Sequence, residues 1–72
     1  MERVLGDVNG DNRITKIDLL LIQAHLQGKI TLNEEQLLVA DVTGDGYITI
    51  EDMIAVAQHL NGINIITEVL VL

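Results

Sequence analysis

Asp7-Val8-Asn9-Gly10-Asp11-Asn12-Arg13-Ile14-Thr15-Lys16-Ile17-Asp18 is an oxygen-rich loop that runs into an apolar helix, and it occurs twice. Moved forward by 34 positions it becomes Asp41-Val42-Thr43-Gly44-Asp45-Gly46-Tyr47-Ile48-Thr49-Ile50-Glu51-Asp52. Asp7/Asp41, Gly10/Gly44, Asp11/Asp45, Ile14/Ile48, Thr15/Thr49 and Asp18/Asp52 are identical pairs, and the likeness continues through His25/His59 and Leu26/Leu60 to Gly28/Gly62. Two copies are too few for a solenoid, so the pattern predicts a duplicated supersecondary unit that closes on itself.

A loop of this length that offers oxygens from positions 1, 3, 5, 7, 9 and 12 can wind around one hard cation, with a backbone carbonyl at position 7 and side chains elsewhere. In the first loop these positions are Asp7, Asn9, Asp11, the Arg13 carbonyl, Thr15 and Asp18. In the second they are Asp41, Thr43, Asp45, the Tyr47 carbonyl, Thr49 and Asp52. Position 6 needs a sharp turn, which Gly46 supplies freely and Asn12 supplies next best. Many flexible oxygens favour Ca2+ over Mg2+, which demands a small octahedron and keeps its waters. Two ions are therefore expected, one per loop. Thr43 is the irregular ligand, a hydroxyl where an amide or carboxylate is usual, so the second loop is expected to bind more weakly or to complete its shell with water.

Composition agrees with this chemistry. A core drawn from 72 residues supplies only roughly 3 to 5 kcal/mol and needs a staple. The chain has no cysteine, which removes disulfides and zinc-thiolate sites and leaves oxygen-held metal. Of the eleven acidic residues, Asp7, Asp11, Asp18, Asp41, Asp45 and Asp52 stand at ligand positions of the two loops, and two divalent ions would bring the net charge from −7 to −3. The acidity reads as ligand inventory, and it argues against nucleic acid or an anionic membrane as partner. Tyr47 is the single aromatic residue and proline is absent, so stacking platforms are missing. No run of apolar residues is long enough to span a membrane. Met1-Glu2-Arg3 does not open a signal peptide, so the chain reads as a module cut from a longer protein.

The expected architecture is all-α within a single domain over residues 1–72: repeat 1 over about 5–28, a linking helix over about 31–40, repeat 2 over about 41–62 and an apolar tail over 63–72. Helix 1 should run from about Lys16 to Gln27 and stop at Gly28, and helix 3 from about Glu51 to Leu60, stopping at Asn61-Gly62. Thr31-Leu32-Asn33-Glu34 has the spacing of a capping box, which starts the linking helix near Leu32 and turns Leu37, Leu38 and Val39 inward. The tail is open between a strand and a further helical turn. Its exposure would invite aggregation, so it is expected to lie on the domain beside Val4 and Leu5.

The paired loops Gly-Asp-Val-Asn-Gly-Asp (6–11) and Ala-Asp-Val-Thr-Gly-Asp-Gly (40–46), each closed by an aspartate at position 12, resemble the dockerin family over about residues 5 to 64. An ordinary EF-hand closes with glutamate and sits between two helices, whereas Asp18 and Asp52 close these loops and the stretch before Asp7 is too short for an entering helix. The resemblance implies a pair of F-hands with helices 1 and 3 antiparallel, one calcium ion per loop, and docking as a 1:1 heterodimer onto a cohesin. It further implies a secreted or bacterial cell-surface parent, carbohydrate-active or scaffold, and a module that is not itself an enzyme.

Helices 1 and 3 carry core stripes at three- and four-residue spacing, Leu19, Ile22 and Leu26 in one, Met53, Val56 and Leu60 in the other. Helix 1 has a second apolar stripe, Ile17, Leu20, Leu21 and Ala24, whose counterpart on helix 3, Glu51, Ile54, Ala55 and Gln58, is half polar. In dockerins such positions contact cohesin, and many members carry Ser-Thr pairs where this chain has Lys16-Ile17 and Ile50-Glu51. That implies a more apolar specificity class and a single docking orientation led by helix 1. His25 and His59 have no second ligand at zinc spacing and read as helix-surface residues at the rim of the docking face. The competing functional reading is a calcium sensor or buffer of the EF-hand type, which needs two complete helix-loop-helix hands. An enzyme lacks a frame of catalytic groups once the carboxylates are committed to the loops.

Overall fold

Each aspartate-rich loop delivers the chain into an eleven-residue helix, α1 over Lys16–Leu26 and, after the linking helix, the equivalent helix over Ile50–Leu60. The computed structural model describes residues 2–71, so Met1 and Leu72, the ends of the expected domain and tail, lie outside the described residues. In chain order the elements are β1 (Glu2–Val4), α1 (Lys16–Leu26), α2 (Glu34–Ala40), α3 (Ile50–Leu60) and β2 (Val69–Val71).

The two long helices start and stop by the same local chemistry. Thr15 and Thr49 are extended at the N-caps, and the third helical residue of each reaches back: the Thr15 amide donates to Asp18 Oδ2 at 2.8 Å, and the Thr49 amide to Asp52 Oδ2 at 2.9 Å. At the other end Gly28 and Gly62 take positive φ, +75° and +77°. The Gly28 amide then donates to the His25 carbonyl and Lys29 to Ala24, while Gly62 donates to His59 and Ile63 to Gln58. These are the two bonds of a Schellman stop, in both copies.

The linking helix departs from expectation in register. Its capping box is Asn33 with Gln36: the Gln36 amide donates to Asn33 Oδ1 at 2.8 Å and the Asn33 amide to Gln36 Oε1 at 3.0 Å. Shifting the box two residues beyond Thr31-x-x-Glu34 puts Leu32 just before the cap, where it is buried, and Leu37 at the fourth helical position, the pair of sites that a hydrophobic staple uses. Leu38, expected inward, is 53 % exposed, while Val39 and Ala40 are buried. Neighbours on a helix point about 100° apart, so three consecutive residues cannot share one inner face.

The tail resolves as a strand. β2 pairs antiparallel with β1, with Glu2 opposite Val71, Arg3 opposite Leu70 and Val4 opposite Val69, and the Leu5 amide extends the ladder to the Glu68 carbonyl at 3.0 Å. Two three-residue strands have no independent stability. They act as a clip on the helical body, to which they are joined by the Gly6 amide on the Val39 carbonyl at 2.8 Å and by an Arg3–Glu35 ion pair.

The core sits where α1 crosses α3. Ile22 and Val56, 34 residues apart, are fully buried with Val8, Leu32 and Ala40, and Ile14, Leu19, Leu21, Leu37, Val42, Ile48, Met53 and Ile66 pack around them. Leu26 and Leu60, expected as the last members of the core stripes, are exposed. So small a core reaches only the middle turns, and the final turn of each long helix overhangs it.

Candidate metal centre

Winding each loop around its first aspartate brings three carboxylates together. One oxygen each from Asp7, Asp11 and Asp18 lie within 4.8 Å of one another, and Asp41, Asp45 and Asp52 repeat the arrangement. Asp18 and Asp52 stand on the first helical turn and are completely buried, which also places their charge at the positive end of the helix macrodipole. Asp11 and Asp45 lie at the solvent edge.

Backbone amides build the frame. Asp7 accepts from Gly10 (3.1 Å), Asp11 (3.3 Å) and Asn12 (2.7 Å), and Asp41 accepts from Gly44 (3.1 Å) and Gly46 (2.9 Å). The bond from position 6 needs a left-handed residue, and Asn12 (φ +68°) and Gly46 (φ +88°) both take it. Asp18 Oδ1 accepts the Asn9 amide and Asp52 Oδ1 the Thr43 amide, each at 3.0 Å. The amides of Arg13 and Tyr47 close on Asp11 and Asp45 at 3.0 Å, so their carbonyls follow at position 7 in both copies.

Three like charges in so small a volume lack internal compensation. Among the described residues the one ion pair is Arg3–Glu35, outside both clusters. Burial pushes the Asp7 carboxyl above its ordinary range, and the Asp18 charge adds to the effect against the pull of the Asn12 amide. The amides of Arg13 and Tyr47 hold Asp11 and Asp45 below theirs. Thr15 Oγ1, at position 9 of the first loop, is buried without a hydrogen-bond partner. An orphaned hydroxyl beside three carboxylates, two of them buried, is a donor set suited to a hard divalent cation.

The irregular Thr43 is drawn into its cluster, since its hydroxyl lies 3.0 Å from Asp52 Oδ1 and 3.4 Å from Asp41 Oδ1. Asn9 bonds Asp11 through both its amide nitrogen and its carbonyl oxygen at 3.3 Å. Thr49 differs from Thr15 in accepting the Glu51 amide at 3.2 Å. The Tyr47 ring is exposed.

Outside the loops, Ile17 (55 % exposed) and Leu20 (49 %) face solvent on α1, and Ile50 (60 %) and Ile54 (49 %) on α3. Lys16 and Glu51 are exposed, Leu21, Ala24 and Gln58 are half-buried, and Leu21 also touches the core. The histidines are not free rim residues. His25 Nδ1 accepts the Leu32 amide at 3.3 Å, and His59 Nδ1 accepts the Ile66 amide at 2.9 Å. Leu32 and Ile66 are themselves 34 apart. The duplication thus reaches beyond the glycine stops, a signal present in the repeat register and carried by residues of similar rather than identical type.

Two loop–helix units in one repeat register, each with its own carboxylate cluster, define a duplicated calcium-binding module. The dockerin type I domain matches residues 5–61, and the chain belongs to that family. No curated protein and no solved structure matches it. Dockerin type I domains bind calcium and dock in a calcium-dependent way onto cohesins, and the module is not catalytic.

Proposed function

We propose that this chain anchors its parent protein, extracellular and carbohydrate-active or scaffold-forming, by binding one cohesin in a 1:1 complex with two calcium ions in place. Asp7, Asn9, Asp11, the Arg13 carbonyl, Thr15 and Asp18 hold one ion, and Asp41, Thr43, Asp45, the Tyr47 carbonyl, Thr49 and Asp52 the other. Bound calcium supplies the positive charge that lets the buried carboxylates remain ionised side by side. Asp18 and Asp52 transmit that order to the helices, because each carboxylate also receives two loop amides and belongs to the first turn.

The docking face is Lys16, Ile17, Leu20, Leu21 and Ala24 of α1 with Ile50, Glu51, Ile54 and Gln58 of α3, in one orientation led by α1. The observation that carries this reading is that the helices started by the two aspartate clusters each present a pair of solvent-facing aliphatic residues, Ile17 with Leu20 and Ile50 with Ile54. A sensor of the EF-hand type is less well supported, since β1 rather than a helix leads into the first loop. Pull-down against cohesin modules with calcium and with chelator tests the proposal. Capture only with calcium is expected; capture by no cohesin in calcium, or equal capture in chelator, overturns it.

A further inference from the structure

The two loops have equivalent interiors and unlike approaches. Loop 2 is reached directly from α2, whose C-cap is Asp41 itself. Loop 1 is reached from β1, and β1 is held by the far end of the chain. Counting back by the repeat, residues 36–38 of α2 correspond to residues 2–4, so β1 stands where the second copy has a helix.

The turn from Val4 to Asp7 shows what replaces that helix. The Asp7 amide donates to the Val4 carbonyl at 3.0 Å, with Gly6 at φ +92°. The Gly6 Cα lies so close to Ile14 and Ile66 that an added Cβ would stand 3.3 Å from Ile14 Cδ1 and 3.6 Å from Ile66 Cδ1. Ile14 is position 8 of loop 1, and Ile66 belongs to the tail. Ile66 is fixed in turn by its amide on His59 Nδ1 and by the strand pairing that follows it. Asp7 ends up 2 % exposed, whereas Asp41 is half-buried.

We propose that the C-terminal strap, residues 63–71, is a positioning element of calcium loop 1, with Ile66 as its wedge and His59 as its tether. This rests on the proposed calcium ligands. The strap buttresses the Gly6 turn that presents Asp7, and loop 2 has no such dependence because α2 does that work. Residues that orient a ligand from outside the coordination sphere change metal affinity by about 10- to 100-fold when removed.

The sequence provides a site-resolved readout. Tyr47, the sole aromatic residue, lies at position 7 of loop 2, where loop 1 has Arg13. Terbium(III) emission excited through tyrosine therefore reports loop 2, and calcium calorimetry reports both sites. The variants are Ile66→Ala and a chain ending at Gly62, with far-ultraviolet dichroism in saturating calcium as the fold check; should the shortened chain not fold, Ile66→Ala decides. The expected result is at least about a tenfold weaker calcium affinity at one site with tyrosine-sensitised terbium binding unchanged. Equal weakening of both sites, or of neither, overturns the proposal. Wild-type chain that takes up no calcium at either loop overturns the ligand reading itself, a separate failure.

Discussion

Asp18 and Asp52 each do three things with one carboxylate: they accept the amide of loop position 3, accept the amide of the helix N-cap, and face two other aspartates. Asparagine has the same shape but replaces one acceptor oxygen with a donor and removes the charge, so Asp52→Asn turns an NH2 toward the Thr43 or Thr49 amide. Calcium affinity at loop 2 should fall at least about 100-fold, beyond what loss of an outer-sphere partner does, as read by tyrosine-sensitised terbium emission; unchanged emission would remove Asp52 from the ligand set. Asp7 allows a pH prediction. Its folded-state pKa is raised above the ordinary 3.8, first by burial. In the metal-free chain its contribution to stability is therefore present below 3.8 and lost as pH rises through the raised value. Asp11 is shifted the other way, so its contribution is present above 3.8 and lost as pH falls through the lowered value, but it is exposed and screened. Because calcium requires the ionised carboxylates, acidification from about pH 7 to pH 4 should weaken loop 1 starting at a higher pH than an ordinary aspartate would dictate. Calorimetric titration across that range checks this, and a loop 1 affinity that holds constant down to the ordinary aspartate range contradicts it.

At the scale of elements, α1 and α3 share a buried pattern and differ in the face they show to solvent. Ile22 and Val56 are equivalent core residues, and Leu20 and Ile54 are equivalent exposed ones, yet Ile17 is matched by Glu51. If α1 leads the docking, Leu20→Asp should cost cohesin binding about 2 kcal/mol or more, roughly 30-fold, the scale of an interface hot spot, and Ile54→Asp should cost clearly less. Both positions are exposed, so the fold should survive either change, and equal losses in a titration would instead mean that both helices lead. These helices were legible because their signals are local: an extended threonine and an aspartate three residues on at the start, glycine at the end. The linking helix was legible in existence and wrong in register, since Thr31-x-x-Glu34 and Asn33-x-x-Gln36 both satisfy the capping pattern and only the burial of Leu32 chooses between them. The strands were only half legible, since the tail's composition left strand and helix both open while placing it beside Val4 and Leu5, where it pairs. Each is three residues long and its partner lies at the opposite end of the chain, so no period could build up in either, although the apolar tail did signal that it needed cover. The histidine tethers span seven residues across a helix stop, a separation at which neither helical nor strand periodicity speaks.

For the whole molecule the balance of forces predicts that calcium is part of the fold. Five buried residues form the centre of the core, and a core of a chain this short contributes roughly 3 to 5 kcal/mol. Opposing it are two clusters of three carboxylates whose mutual repulsion no internal cation relieves among the described residues. A ligand present at about 1,000 times its dissociation constant stabilises the state that binds it by about 4 kcal/mol per independent site, so two such sites would rival the core itself. The helices that show the apolar pairs are the helices that Asp18 and Asp52 begin, so loss of the ions should disorder the docking face and the fold together. Chelation should therefore collapse the helical dichroism at 222 nm and abolish cohesin capture over the same range of free calcium, and added calcium should restore both along one curve. If instead capture is lost while the dichroism stays at its calcium-loaded value, calcium acts on the docking face without holding the fold, and the core alone is sufficient.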